Sequence, residues 1–257
     1  MTSTPRPALS LVIPAYDEAA RLDATFEQVE AWLRDPPRAP VEVLLADDGS
    51  SDQTLARFEA FARAHPGVVR ALALPHRGKA ATVTSGILAA EGDKVLFSDA
   101  DLSVPLSEAE AFARALDAGA DVAIGSREAE GARREREPTF RHVMGRGFNA
   151  MVRALVVPGV KDTQCGFKMF TREAARAIFG RLRRYGPDAP EIQGPMVTAF
   201  DVEVLFLARK LGLKVVELPV LWRHGEGSKV RPVVDALRMG RDVLMVKLAD
   251  MRGEYRT

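Results

Sequence analysis

Two hydrophobic periods alternate along the first half of the chain. Leu9–Ile13 (LSLVI) is a continuous apolar run that reads as a buried strand stopped by Pro14. Leu22, Phe26, Val29 and Leu33 then recur at helical spacing between Glu18 and Leu33, before Pro36, Pro37 and Pro40 break the chain. Val41–Ala46 (VEVLLA) predicts a second strand. Thr54 to Ala64 predicts a helix with Leu55, Phe58 and Phe61 on one side, and Val68–Leu74 a third strand. Lys79 to Glu91 reads as a small-residue helix stopped by Gly92, followed by a strand at Lys94–Ser98. Ser107 to Ala118 predicts a helix opened by a capping box of Ser107 and Glu110, and Asp121–Gly125 a fifth strand. This alternation implies an α/β fold with a mostly parallel central sheet and helices on both faces.

The second half is less regular. Glu128 to Glu137 is charged and poor in apolar residues, and reads as a surface loop or lid. Thr139 to Val157 has the spacing of an amphipathic helix. Gly166–Phe170 predicts a strand, followed by a short helix from Arg172. Arg184 to Pro195 is loop, Ala199 to Lys210 helix, and Lys214–Trp222 a strand that Pro219 assigns to a sheet edge. Pro232 to Met251 closes the pattern as an amphipathic helix. With no repeat and no clear linker, the simplest organisation is a flexible start (1–8), one catalytic-sized domain (9–230) and a C-terminal amphipathic helix and tail (231–257).

Composition narrows the class. The 257 residues, 47% hydrophobic and 28% charged, suit an ordinary globular chain. A net charge of +1 argues against nucleic acid as a partner. The single cysteine, Cys165, cannot form an intrachain disulfide, and it reads as a packed core residue. Met1 to Ala8 shows no signal-peptide pattern and no run suits a spanning helix, so a cytoplasmic protein is expected.

Candidate chemistry lies where strands end, because ligands of open α/β sheets bind outside the carboxyl ends of the strands. Tyr16-Asp17-Glu18 follows the first strand, Asp47-Asp48-Gly49 the second and Asp99-Ala100-Asp101 the fourth. Parallel strands would bring these carboxylates to one rim, where like charges repel unless a cation or donor hydroxyls sit among them. Asp99 and Asp101 offer two hard ligands for Mg²⁺ or Mn²⁺, with a substrate diphosphate completing the set. A solvated turn is the plain alternative for an isolated D-x-D, and the other acidic strand ends favour the metal. Asp47 or Asp48 could accept hydrogen bonds from a base or ribose, or cap the next helix. Arg77-Gly78-Lys79 precedes a helix and could attract phosphate, or be simple loop. Dinucleotide and P-loop glycine fingerprints are absent. His65 and His76 read as surface loop residues. Phe200-Asp201 suits either an acceptor wall or a core residue and cap.

The segments LSLVIPAYDE, LLADDGSSD, FSDADLS and AIGSR together resemble the inverting family 2 glycosyltransferases of the GT-A fold. DTQCGFKMFTREA, AFDVEVL, EGSK and MGRDVL resemble the dolichyl-phosphate β-glucosyltransferases within that family. Tyr16-Asp17-Glu18 departs by one residue from the usual Y-N-E. The resemblance implies a GT-A, Rossmann-like single domain, a nucleotide-sugar donor such as UDP-glucose, a polyprenyl or dolichyl phosphate acceptor, and Mg²⁺ or Mn²⁺ as cofactor. It implies that Pro14, Tyr16, Glu18, Ala46 and Asp48 hold the nucleoside. Asp99 and Asp101 would flank the metal and diphosphate, with Asp101 the first choice as direct ligand. Arg127 would face the donor or acceptor phosphate as a catalytic residue, and Arg223 and Lys229 would reach the phosphates from the C-terminal segment; Lys79 joins the nucleotide-sugar-binding candidates from its place before a helix.

A phosphate acceptor is ionised near neutral pH and attacks without a strong general base. Positioning and stabilisation of the leaving diphosphate then carry the catalysis. The basic amphipathic helices from Thr139 and Pro232 suit peripheral contact with a membrane surface, and core packing explains their apolar faces equally well. Rival readings are a non-lipid acceptor and a silent nucleotide-sugar-binding partner.

Overall fold

The computed structural model describes residues 6–34, 40–135, 152, 156–186, 189–193, 198–223 and 232–255. Nine strands are formed among them: β1 (Leu9–Ala15), β2 (Val41–Asp47), β3 (Val69–Ala73), β4 (Lys94–Ser98), β5 (Val122–Ser126), β6 (Arg133–Glu135), β7 (Phe167–Thr171), β8 (Val215–Pro219) and β9 (Leu221–Arg223). The α-helices are α1 (Leu22–Arg34), α2 (Thr54–Ala64), α3 (Lys79–Ala89), α4 (Ala109–Asp117), α5 (Arg172–Phe179), α6 (Phe200–Lys210) and α7 (Pro232–Met251).

Seven strands form one sheet in the order β3-β2-β1-β4-β7-β5-β8, and β6 pairs with β9 in a small second sheet. All pairs in the large sheet are parallel except those of β7, which runs antiparallel to both β4 and β5. Strand alternation sends Leu11, Ile13, Val43, Leu45 and Leu96 to one face, where α1, α2 and α4 bury them. Val12, Leu44, Val95 and Phe97 go to the other face, under α3, α5, α6 and α7. The mostly parallel sheet covered on both faces is therefore the expected fold.

Several expectations change in detail. Pro14 does not stop β1: it lies in register with Ala46 and the strand continues to Ala15. The capping box at Ser107 does not form. A 3₁₀ turn over Leu106–Glu108 follows Pro105, and no side chain caps α4. Gly92 is not a left-handed helix stop. A Cβ there would sit 2.5 Å from the Ser10 backbone nitrogen, so close approach to β1 demands glycine. The loop from Glu128 contains β6, which pairs in parallel with β9. Arg134 further ties it down by donating to the Arg127 carbonyl at 3.1 Å. The single strand expected over Lys214–Trp222 is two strands, β8 and β9. Pro219 does end an edge strand, where its missing N–H costs no ladder bond. The amphipathic segment from Thr139 falls almost wholly outside the described residues.

Candidate active site

The carboxyl ends of β1, β2, β4 and β5 meet on one rim with the start of antiparallel β7. Because β7 runs the other way, Phe167 lies opposite Ser98, which puts Cys165 and Gly166 beside Asp99. The Asp99 N–H donates to the Gly166 carbonyl at 3.2 Å. A Cβ on Gly166 would lie 2.1 Å from Asp99 Oδ2, so the contact between this glycine and the carboxylate leaves no room for a side chain.

Asp99 Oδ1 is paired with Lys79 Nζ at 2.5 Å, at the first residue of α3. Burial works against the Lys79 charge, yet the neighbouring Asp99, Asp201 and Asp101 carboxylates hold its pKa above the ordinary lysine value. Asp101 is exposed, and its Oδ1 accepts the Ser103 N–H at 3.1 Å. The protein around it and the adjacent Asp99 charge raise its pKa. The turn carrying both aspartates is fixed from two sides. Thr25 Oγ1 of α1 donates to the Ala100 carbonyl at 2.7 Å, and the Arg223 N–H donates to the Ser103 carbonyl at 2.8 Å.

Asp48 builds the neighbouring wall. It is 2% exposed, and its Oδ1 accepts the N–H groups of Arg77 (2.9 Å) and Gly78 (3.1 Å), while Oδ2 faces His76 Nδ1 at 2.9 Å. Asp48 thus shapes the segment that leads into α3 and Lys79. The His76 ring stacks on Tyr16 with centroids 4.0 Å apart and planes 7° from parallel. His76 is therefore half-buried in the rim and not the surface residue expected. Asp17 stands at φ +50°, a conformation that asparagine and aspartate tolerate best. Its Oδ1 accepts the Ser51 N–H at 2.8 Å, an interaction that the amide oxygen of an asparagine would also make. That accounts for aspartate in place of the usual asparagine of Y-N-E. Glu18 donates its N–H to Thr54 Oγ1 at 2.9 Å and pairs with Arg21. Ala46 is fully buried opposite Pro14, so its side chain forms wall and nothing more.

Arg127 pairs with a buried carboxylate. Asp162 is fully buried, and Arg127 Nε donates to its Oδ2 at 2.7 Å and Nη2 to its Oδ1 at 3.0 Å. Burial alone would raise the Asp162 pKa, but the guanidinium holds the carboxyl far below the usual carboxylate range. The same guanidinium lies over the Trp222 ring, 5.4 Å from its centroid. This fork fastens the β5 end to the segment leading into β7, and it aims Arg127 at Asp162. Arg223 does reach the rim through its backbone, while its side chain pairs with Glu135 at 3.2 Å. Lys229 and His224 lie outside the described residues.

Sequence reasoning passed over Lys168 and left Asp201 between two roles. Lys168 is fully buried in β7, with Nζ 2.5 Å from Asp201 Oδ1 and 2.6 Å from the Cys165 carbonyl. Its signal was a lysine inside the apolar run FKMF, on a strand with no solvent face. Cys165 is inert core: burial pushes its thiol up to about 12.

Two carboxylates fit a divalent ion that takes its remaining ligands from a diphosphate and water. Among the described residues no three acidic, histidine or cysteine side chains gather into a closed metal cage. The donor set therefore suits an open, substrate-completed site, with Asp101 the more available ligand because Lys79 occupies Asp99.

The sheet and its order are those of the GT-A fold, and the model of glycosyl transferase family 2 matches residues 10–179. The chain belongs to that family and is a glycosyltransferase. Over 98% of its length it is 34% identical to human dolichyl-phosphate beta-glucosyltransferase, covering 79% of that protein. It is 30% identical to the dolichyl-phosphate beta-glucosyltransferase of Saccharomyces cerevisiae, over 96% of this chain and 76% of the yeast protein. Among solved structures, a Pyrobaculum calidifontis mannosyltransferase in complex with GDP-Man and Mn²⁺ superposes with a TM-score of 0.61 at 20% identity, over 97% of this chain and 65% of that one. Glucosyl-3-phosphoglycerate synthase from Mycobacterium tuberculosis, with Mn²⁺ and UDP, gives 0.61 at 19% identity, over 96% and 80% of the two chains. These structures establish the fold.

Proposed function

We propose that this glycosyltransferase moves glucose from UDP-glucose onto a polyprenyl phosphate of the dolichyl type, in one inverting displacement. The observation that carries the reading is the rim itself: Asp99 and Asp101 side by side, Lys79 ion-paired to Asp99, and the Tyr16–His76 stack on the same edge of the sheet. The 34% identical human relative, a dolichyl-phosphate beta-glucosyltransferase, supports the lipid acceptor and the sugar.

Each group then has a task set by its chemistry. The Tyr16 and His76 rings offer an aromatic edge to a base, and the Asp48-held segment keeps that edge rigid. Asp101, with Asp99, would hold Mg²⁺ or Mn²⁺, which supplies charge neutralisation at the leaving diphosphate. Lys79 adds a fixed cation at the N-terminus of α3, where backbone N–H groups also favour phosphate. Arg223 and Lys229 remain phosphate candidates from the C-terminal segment. The Asp162 pair supports a structural role for Arg127 ahead of the phosphate role. The acceptor phosphate brings its own anionic nucleophile, so the site needs no general base and spends its residues on alignment.

The test is a transfer assay with labelled nucleotide sugars, Mg²⁺ or Mn²⁺, and a short polyprenyl phosphate. Label should enter the organic phase from UDP-glucose, and Asp101→Ala should abolish it while the protein stays folded. Tight nucleotide-sugar binding with no label transfer would redirect the acceptor to a soluble phosphorylated molecule. Metal-dependent turnover surviving in Asp101→Ala would remove Asp101 from the site.

A further inference from the structure

Among the described residues, large apolar side chains are strongly exposed at three positions, and all three lie on α7: Leu244 (55%), Leu248 (43%) and Met251 (75%). Their spacing of four and then three residues places them along one stripe of the helix. The opposite face is already satisfied, because Val243, Val246 and Ala249 are buried in the core. Packing among the described residues therefore gives no reason for leucine, leucine and methionine on the outside.

The charges around the stripe have one sign. Arg241 lies three residues before Leu244 and Lys247 three residues after it, so the two flank the stripe on opposite sides, and both are exposed. Carboxylates of the same stretch point elsewhere. Asp242 is buried and accepts from the Tyr185 hydroxyl at 2.7 Å and the Ala199 N–H at 3.3 Å, and Asp250 is paired with Lys210. Beyond the helix, Arg252 is offset by Glu254 at 3.9 Å and adds nothing.

We infer that the outer face of α7 is a docking surface for an anionic lipid membrane. Leucine and methionine enter the acyl boundary, and the arginine and lysine stems flank them with their charges at the headgroups. A second copy of this chain fits less well, since a two-fold contact along the stripe would bring Arg241 and Lys247 of both chains together. The surface also has a structural link to the site. Through Asp242, α7 braces Ala199, one residue before the helix that carries Asp201. The inference stands apart from the acceptor reading, because it needs neither a nucleotide sugar nor a lipid phosphate acceptor.

The experiment is sedimentation of the full chain with phosphatidylcholine vesicles, with and without phosphatidylglycerol, and no substrate present. Binding is expected to the anionic vesicles and to weaken with salt. Leu248→Ser with Met251→Ser should lower the partition by at least about tenfold. Arg241→Gln and Lys247→Gln should each lower it about fivefold. Circular-dichroism melting of every variant should match the parent. Failure of the parent to bind anionic vesicles, or undiminished binding by the folded serine double variant, would overturn the inference. Dimerisation by light scattering that the serine variant abolishes, with no vesicle binding by the parent, would assign the face to a second copy instead.

Discussion

Replacing Arg127 by methionine separates its two possible roles. Asp162 is fully buried, and the Arg127 side chain is 18% exposed, so the pair sits largely out of water. Removing one partner of such a pair leaves an uncompensated charge and costs about 3–5 kcal/mol. The Asp162 carboxylate would keep the Arg127 and Gln164 backbone N–H groups, at 3.0 and 3.1 Å. That places the expected loss near the lower end, about 3 kcal/mol, or a melting temperature lower by about 6–12 °C for a chain of this size. The loss should depend on pH in a definite direction. Arg127 holds the native Asp162 pKa below the usual range, so its contribution is present above the unfolded value of about 3.9 and fades as pH falls further. Without Arg127, burial raises the native pKa, and the charged carboxylate is penalised most at neutral pH. The deficit of Arg127→Met should therefore be largest near neutrality, shrink as the stranded carboxyl takes up its proton, and close only well below about pH 3.9, where the parent's own contribution fades. Asp162→Asn added to Arg127→Met should recover part of the stability, because the buried charge is gone. Urea or thermal unfolding across pH measures this, and steady-state kinetics accompany it. An unchanged melting temperature with a KM for donor or acceptor raised more than about tenfold would refute the structural reading and return Arg127 to the phosphates.

Three further outcomes follow from contacts on the same rim. Gly166→Ala should lower turnover by at least about a hundredfold with little loss of stability, since its Cβ would lie 2.1 Å from Asp99 Oδ2 and displace that carboxylate; a fully active variant would show that the Asp99 position is not needed. Lys168→Met should cost about 3–5 kcal/mol in denaturant unfolding by stranding Asp201, which is 6% exposed, and a loss under about 1 kcal/mol would argue that the pair is not a buried ion pair in solution. Asp17→Asn should be nearly neutral because the amide oxygen can still accept the Ser51 N–H, whereas Asp17→Ala should cost about 1–2 kcal/mol through the left-handed backbone and the lost bond; equal melting of the two variants would remove the explanation offered for aspartate there.

Most of the sheet was legible because a buried parallel strand announces itself as a short apolar run, as β4 and β2 do. Helix bounds were legible where apolar spacing is strong: α2 and α7 occupy the residues that periodicity assigns them. Strand direction was not. Nothing in FKMFT says that β7 runs antiparallel, since an apolar run buried on both faces looks alike in either sense. Caps were also poorly legible. Ser107 and Glu110 have the spacing of a capping box, but Pro105 turns the chain into a 3₁₀ entry first, and Leu106 is buried as a result.

The direction of β7 is what the acidic rim could not reveal by itself. A parallel strand between β4 and β5 would have ended at the rim. An antiparallel one begins there, and so delivers the residues that precede it: Asp162 to clamp Arg127, Cys165 to meet Lys168, and Gly166 to receive Asp99. Motif reading brought the acidic groups to one rim, because their chemistry is conspicuous at strand ends. It expected Arg127 as a phosphate partner for the same reason: an arginine at a strand end looks like one, and the sequence does not show the buried carboxylate that pairs with it. His76 shows the converse. It has no metal-ligand spacing and no motif, and it joins the rim only because the Asp48 carboxylate folds its loop back over Tyr16. Conspicuous charge thus marks the rim in the sequence, while which of those charges stays available to a substrate is decided by partners far along the chain.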